Sequence, residues 1–332
     1  MAVKISDVAK KAGVSSATVS RIINNLSGYS ENTRKKVQQA INELGFKPNA
    51  VARGLVISKT HTIGVLMPSL SSRFSFKLLK GIEKVAHERG YSVIVCNTDR
   101  NGERTMEYLR ILSEKRVDGI LFISEWMEKE YGDYLMELKI PVALVATETE
   151  DFPFPSVKTD DYQASRGAVR YLIEQGHRKI GLITGRPEDK IAGYPRIRGY
   201  EDALTEAGIP SNPLSISYGD FHYNSGIESM NELLDRSPGL TAVFCTSDEM
   251  ALGALSALRS YGVKVPEEIS IMGYDDTQDA EMAYPTLTTV HQPIEEMGER
   301  AMDLLLSRDK NESVVFRYSI CKRDSVILLK KN

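Results

Sequence analysis

From residue 62 onward the chain alternates short unbroken apolar runs with amphipathic segments, and it does so twice. The first series reads "TIGVLMPS", a helix over 75–89, "YSVIVCN", a helix over 103–115, "VDGILFIS", a helix over 128–138 and "PVALVAT". The second reads a helix over 162–176, "KIGLITG", helices over 196–207 and 224–236, "TAVFCTS", a helix over 248–261 and "ISIMGYD". Short apolar runs between helices are the pattern of parallel strands covered on both faces. Two such series predict two similar doubly wound lobes, each an α/β layer structure. The last stretch, "TLTTVHQP" with a helix over 294–306 and strands near 314–328, is left to close the fold.

Before this body the pattern is different. Residues 5–45 read as three short helices with little room for strands. In "SDVAKKAG", Ser6 is placed to cap and Gly13 to stop the first helix. The second is "SSATVSRIINN", and the third, "SENTRKKVQQAINELG", has Ser30 as its cap and Val37, Ala40, Ile41 and Leu44 on one face. Helix, short turn, helix is the helix-turn-helix arrangement. On the second helix Val19, Ile22 and Ile23 point to a small core, while Ser16, Ala17, Ser20 and Arg21 share another face. That face carries short side chains and one long cation. It can approach a major groove closely, with Arg21 reaching guanine O6 and N7, and with Thr18 and Ser20 placed for phosphates.

Charge follows the same division. The whole chain has a net charge of −3, but residues 1–60 carry +7 and the remainder −10. A small basic head on an acidic body fits a polyanion-binding module joined to something else. Between the two lies "PNAVARGL", residues 48–55. Asn49 can cap it and Val51 and Leu55 share a face, yet isolated helices below about 12 residues are marginal in water. Gly54 weakens it further, by about 1 kcal/mol relative to Ala.

Enzyme chemistry finds no footing in the sequence. The phosphate-binding glycine patterns are absent, no serine sits in a nucleophile elbow, and the five histidines show no metal spacing. No cofactor and no metal are therefore expected. Cys96 and Cys245 lie in apolar runs and read as buried thiols. No apolar stretch reaches the roughly 18 residues of a membrane span, and no apolar signal region opens the chain, so a cytoplasmic protein is expected. Ligands of open α/β sheets bind beyond the carboxyl ends of the strands. The polar groups there are Asn97–Arg100, Ser124, Asp160, Gly185–Asp189, Ser247–Asp248 and Asp275–Asp276.

"KISDVAKKAGVSSATVSRIINN" followed by "SENTRKKVQQAINELGFKPNAVARGL" resembles the head of the LacI/GalR family of bacterial transcription regulators. The body resembles the same family in "VDGILF", "YLIEQGHRKIGLITG", "RIRGYEDALTEAGI", "TAVFCTSDEMALGAL", "VPEEISIMGYDDT" and "PTLTTVHQPIEEMGERAMDLLL". The resemblance implies an all-α helix-turn-helix head on a periplasmic-binding-protein-like body of two doubly wound parallel-sheet lobes. It divides the chain into a DNA-binding domain at 1–46, a hinge helix and linker at 47–60, and two lobes joined by three crossovers. One lobe takes 61–160 and 291–320, the other 161–290 and 321–332.

It further implies that Ser16, Ala17 and Arg21 read bases, and that the segment matching 49–56 folds on the operator and enters the minor groove. There Asn49 and Ala52 belong to the DNA-binding set and Leu55 wedges between base pairs. A wedge of this kind offsets a few kcal/mol of unstacking with apolar contact. After Leu55 the chain reads "VISKT", without the basic residue common just past the wedge.

For the effector, the resemblance points to Asp160, Arg196, Phe221 and Asp275, with Phe74 and Ser247 as the positions where this chain departs. "SRFS" at 72–75 stands where "NPFF" is frequent, and Ser247 where many sugar-responsive members have Asn. Carboxylates, a forked guanidinium and an aromatic ring suit a sugar's hydroxyls and C–H face. The implied protein is a homodimeric, nucleoid-associated repressor of carbohydrate-utilisation genes on a near-palindromic double-stranded operator, controlled by a small molecule, a sugar, in the cleft. No tetramerising tail is evident. The alternatives are a corepressor (a purine, or a phosphoprotein of the sugar-uptake system) on the same fold, a sugar-binding transport protein, or an enzyme on the α/β body.

Overall fold

The computed structural model describes residues 3–24, 26–46, 59–99, 102–307 and 312–329. The hinge positions Asn49, Ala52 and Leu55 lie outside these. Two compact units are distinguished: Met1–Thr62 with Arg116–Asp118, and Ile63–Lys115 with Gly119–Asn332.

The first unit holds three helices, α1 (Ile5–Ala12), α2 (Ser16–Ile23) and α3 (Glu31–Leu44). The first differs from expectation at its start. Ser6 lies inside α1, and Lys4 is the N-cap, its backbone N–H donating to Asp7 Oδ2 at 2.8 Å. An acid in the first turn satisfies an otherwise orphan amide and complements the helix dipole, so the helix is capped two residues before Ser6. Ser15 and Ser30 cap the other two, accepting from Thr18 and Thr33 backbone N–H at 3.1 and 3.2 Å. Gly13 and Gly45 end α1 and α3 with φ of +69° and +62°, a left-handed turn that glycine adopts without a Cβ clash. Val8, Ala9, Val19, Ile22, Val37 and Ala40 form the buried core, flanked by Tyr29, Leu44 and Phe46. In the same unit Asp118 accepts from the Thr60 and His61 backbone N–H groups at 2.8 and 2.9 Å.

The second unit contains two six-stranded sheets. The first is ordered β11-β5-β4-β3-β1-β2 and the second β12-β10-β9-β8-β6-β7. Their strands are β1 (Thr62–Met67), β2 (Ser92–Asn97), β3 (Gly119–Ile123), β4 (Val142–Val145), β5 (Ser156–Thr159), β6 (Ile180–Thr184), β7 (Ile216–Tyr218), β8 (Ala242–Cys245), β9 (Ser270–Asp275), β10 (Thr288–His291), β11 (Val314–Phe316) and β12 (Ser319–Cys321). The helices are α4 (Arg73–Glu88), α5 (Thr105–Glu114), α6 (Lys129–Leu138), α7 (Asp161–Glu174), α8 (Gly193–Glu206), α9 (Tyr223–Arg236), α10 (Asp248–Ser260), α11 (Gln278–Met282) and α12 (Ile294–Leu306).

Pairing is parallel from β1 through β3, β4 and β5 to β11, and from β7 through β6, β8 and β9 to β10. The exception is β12, which runs antiparallel to β10 on the edge of the second sheet. The chain passes between the sheets three times: between β5 and α7, between β10 and α12, and between β11 and β12. The third passage falls at residues 317–318 rather than after 320, because Ser319–Cys321 pairs with β10. The second falls after His291, which still belongs to the β10 ladder.

Strand alternation explains the two-sided cover. On the second sheet Leu182, Phe244, Met272 and Tyr274 pack under α7 and α8, while Ile183, Val243, Cys245 and Ile271 pack under α9 and α10. On the first sheet Ile63, Val65, Leu121 and Val145 pack with Leu78 and Ile82 of α4 and Met297 and Ala301 of α12. Among the described residues no helix is long and apolar enough to cross a membrane.

Candidate DNA-reading helix and effector cleft

On α2 the division of faces is as the spacing requires. Val19 and Ile22 are buried, Ser16, Ala17 and Arg21 are exposed, and Thr18 and Ser20 are half-buried. The cap ties down part of this surface, since the Ser15 and Thr18 hydroxyls lie 2.9 Å apart. Ser20 Oγ accepts from Asn24 Nδ2 at 3.3 Å. The two smallest side chains stand at the exposed N-terminal end of the helix, with Arg21 one turn further along.

In the second unit a polar cluster lies beyond the carboxyl ends of the second sheet's strands. Arg196, on the first turn of α8, is buried. Its Nε and Nη2 both donate to Asp161 Oδ1 at 2.8 Å, and its Nη1 donates to the Thr246 carbonyl at 2.6 Å. The guanidinium carbon lies 3.9 Å from the Tyr274 ring centroid and 5.8 Å from that of Phe221. Tyr274 also donates its hydroxyl to Asp161 Oδ1 at 2.8 Å. Burial works against the guanidinium's charge, but Asp161, Tyr274 and Asp275 together outweigh it and hold Arg196 above its ordinary range.

Asp275 is buried at the end of β9 with φ of +116°, and its Oδ1 accepts from Gln292 Nε2 at 2.8 Å. Burial raises its carboxyl, Arg196 pulls it back, and charge on Asp248 raises it further. Asp248 is raised likewise by burial, although it accepts from the Thr277 N–H and the Thr277 and Thr289 hydroxyls at 2.7, 3.0 and 2.6 Å. One proton on this pair therefore persists to higher pH than an exposed carboxyl would hold it.

Phe221 sits in a left-handed turn with φ of +68° before α9. A Cβ on Gly185 would stand 2.3 Å from its ring, so the glycine is what lets the ring lie over the end of β6. Ser247 fixes that turn from the other side: it donates to the Phe221 carbonyl at 3.0 Å and caps α10 by accepting from the Met250 N–H at 3.1 Å.

The structure thus gathers Arg196, Phe221, Ser247 and Asp275. Asp160 is the N-cap of α7, its carboxylate accepting from the Gln163 N–H at 3.0 Å. Phe74 packs against the core of the first lobe. "SRFS" is itself a cap, with Ser72 accepting from the Ser75 N–H at 3.1 Å. Asp161, Tyr274 and Gln292 were not singled out in the sequence. Asp161 and Tyr274 stand beside residues that were, and Gln292 ends the "TLTTVHQP" run.

The two lobes also touch around this cleft. The Arg73 backbone N–H donates to Glu249 Oε1 at 2.8 Å, its Nε to Asp279 Oδ2 at 2.6 Å, and Lys77 Nζ to the Asp276 carbonyl at 2.8 Å. Elsewhere Lys190 lies 4.5 Å above the Trp126 ring.

A three-helix head of this kind with a two-lobe, ligand-cleft body defines a class of proteins that read DNA and sense small molecules. Residues 4–49 match the family described as "Bacterial regulatory proteins, lacI family", and residues 60–322 match "Periplasmic binding proteins and sugar binding domain of LacI family". The chain is 40% identical to catabolite control protein A of Priestia megaterium over 95% of each chain. It superposes on a lac repressor dimer bound to operator and an anti-inducer with a TM-score of 0.87, at 30% identity, covering 98% of this chain and 100% of that one. It also superposes on a complex of the transcriptional regulator CelR with cellobiose with a TM-score of 0.73, at 34% identity, covering 97% and 99%. The chain belongs to the LacI family of bacterial transcription regulators. It is a DNA-binding transcription regulator with an effector-binding body, and its relatives are regulators rather than enzymes.

Proposed function

We propose that this protein represses genes of carbohydrate use, binding a near-palindromic operator as a homodimer and changing its affinity when a sugar occupies the interlobe cleft. The observation that carries the reading is the cluster of Arg196, Asp161, Asp275 and Gln292 beside the Phe221 ring. Fixed carboxylates and a forked donor can pair with adjacent hydroxyls, and an aromatic ring can cover the C–H face. The cellobiose bound to CelR and the operator bound to the lac repressor dimer support the same assignment.

Control follows from linkage. The lobes meet through Arg73, Lys77, Glu249 and Asp279, so a ligand that pairs with groups on both walls favours the arrangement in which they meet. A coupling of about 1–3 kcal/mol changes operator affinity roughly 5–150-fold. Phe74, Asp160, Arg196, Phe221, Ser247 and Asp275 are the effector set we propose, with Asp161 and Gln292 added. Ser16, Ala17, Thr18, Ser20 and Arg21 are the base- and phosphate-contacting set, joined by Asn49, Ala52 and Leu55. As a DNA-binding repressor the protein acts where bacterial operators are, in the cytoplasm on the nucleoid.

The test is a mobility shift on the DNA upstream of the protein's own gene, with and without a panel of mono- and disaccharides. At least one sugar should move the operator affinity by fivefold or more, and Asp275→Ala should erase that response while sparing DNA binding. No response to any sugar would overturn the carbohydrate assignment. An undiminished response in Asp275→Ala would remove that residue from the site.

A further inference from the structure

Asp276, His291 and Cys321 come together at the ends of three adjoining strands of the second sheet. Asp276 follows β9, His291 ends β10 and Cys321 ends β12. Asp276 Oδ2 lies 2.8 Å from His291 Nδ1 and 3.3 Å from Cys321 Sγ, and the three atoms all lie within 4.8 Å of one another. The other carboxylate oxygen, Oδ1, accepts from Arg323 Nη2 at 2.6 Å. Neither the DNA-reading surface nor the effector set uses this trio.

We propose that these three side chains form a binding site for a borderline divalent transition-metal ion of the zinc class. One carboxylate, one imidazole and one thiolate are a donor set that such ions accept, with bonds of about 2.0–2.3 Å. A tetrahedral ion with those bonds separates its donors by roughly 3.3–3.6 Å. The two hydrogen-bonded separations here are a few tenths of an ångström shorter and the third, His291 Nδ1 to Cys321 Sγ, is within 4.8 Å, so the ion would draw the three side chains to its own spacing. His291 is half-exposed, which gives an ion a way in and leaves room for water as a fourth ligand.

The charges balance. A divalent ion is neutralised by the Asp276 carboxylate and the Cys321 thiolate, the thiol proton leaving to solvent as the metal–sulfur bond forms. His291 binds through the Nδ1 lone pair and keeps its proton on Nε2. Arg323 stays on the oxygen that the ion does not use, and its charge is answered by Glu281 Oε1 at 3.2 Å. A group bonded to the far oxygen of a ligating carboxylate fixes its orientation, as outer-shell partners of metal sites do.

The position gives the site a consequence. The second passage between lobes begins directly after His291, and the third ends just before β12. Lys77 of the first lobe donates to the Asp276 carbonyl. An ion here ties together β10, which leads into the second passage, and β12, which follows the third.

The test uses the full chain, reduced, free of affinity tags and stripped of metal, titrated with Co²⁺. A thiolate-to-cobalt absorption in the near ultraviolet should grow to one equivalent per chain, with visible bands of tetrahedral intensity, and Zn²⁺ should displace it. The other two cysteines, Cys96 and Cys245, are buried and outside the trio, so the band reports Cys321. Cys321→Ser and His291→Ala, shown folded by their melting curves, should lose it. One equivalent of Zn²⁺ should also slow the reaction of Cys321 with a thiol reagent at least tenfold in the unaltered protein. Absence of the band, a band of equal strength in both variants, or unchanged thiol reactivity would each overturn the proposal.

Discussion

Removing the Arg196 guanidinium would leave Asp161 with a single donor, Tyr274, and the Thr246 carbonyl with none of the charge that now meets it. Breaking a buried pair from one side costs about 3–5 kcal/mol, because the charge left behind has no water to replace its partner. Arg196→Met should therefore lower the unfolding free energy by that amount, read as a lower urea midpoint at an unchanged slope, besides abolishing the effector response. His177 makes a second case at this scale. It is fully buried, with Nδ1 3.1 Å from Thr241 Oγ1 and Nε2 3.1 Å from the Ile327 carbonyl, and burial lowers its pKa. The unfolded chain takes up a proton near pH 6.5 that the folded chain refuses until lower pH, so stability falls as pH drops through that window. His177→Gln should flatten this slope below about pH 6.5, as read by denaturant unfolding at a series of pH values. A slope identical to that of the unaltered protein would refute the assignment.

Among the elements, α4 and α12 meet through glycines on both sides. A Cβ on Gly81 would lie 2.0 Å from the Glu295 carbonyl oxygen, and one on Gly298 would lie 2.4 Å from that of Leu78. The obstacles are backbone atoms, so the helices themselves would have to part. Gly298→Ala should cost about 1–3 kcal/mol or more, with loss of the apolar contacts of Met297 and Ala301, and unfolding curves would check it.

The same pair illustrates how much of the fold was legible in the sequence. The helix over 294–306 was read to the residue because its apolar stripe is continuous. By contrast, β5 ("SVKT") and β7 ("ISY") were missed, since three- and four-residue strands with polar members give no periodicity to count. In the cleft, Arg196, Phe221 and Asp275 were named from a resemblance. Asp161 and Gln292 were not, because what selects them is a hydrogen bond across 35 and 17 residues of sequence. The trio at 276, 291 and 321 was hidden for the same reason: metal spacing along the chain is absent when each donor comes from a different strand.

For the molecule as a whole, the link we propose between DNA reading and ligand sensing is "PNAVARGL", with Leu55 within it. Leu55→Ala should weaken operator binding about tenfold or more, equivalent to at least about 1.4 kcal/mol, while leaving sugar affinity unchanged in titration calorimetry. Equal operator affinity in the two proteins would refute the wedge.

The three passages between the sheets bear on how such a chain is made. The first lobe's sheet is completed by β11 beside β5, and its α4 face is covered by α12, so its last pieces come from residues 294–316. A nascent chain leaving the ribosome therefore carries an uncapped sheet edge and a bare helix face until nearly all of it has been synthesised. Premature termination anywhere between the second passage and β11 would release a polypeptide in which both sheets lack an edge strand, β11 in the first and β12 in the second. That gives the lobe synthesised first the longest wait, from β1 at its start to β11 near the end of the chain, and makes it the one on which chaperones have most reason to act.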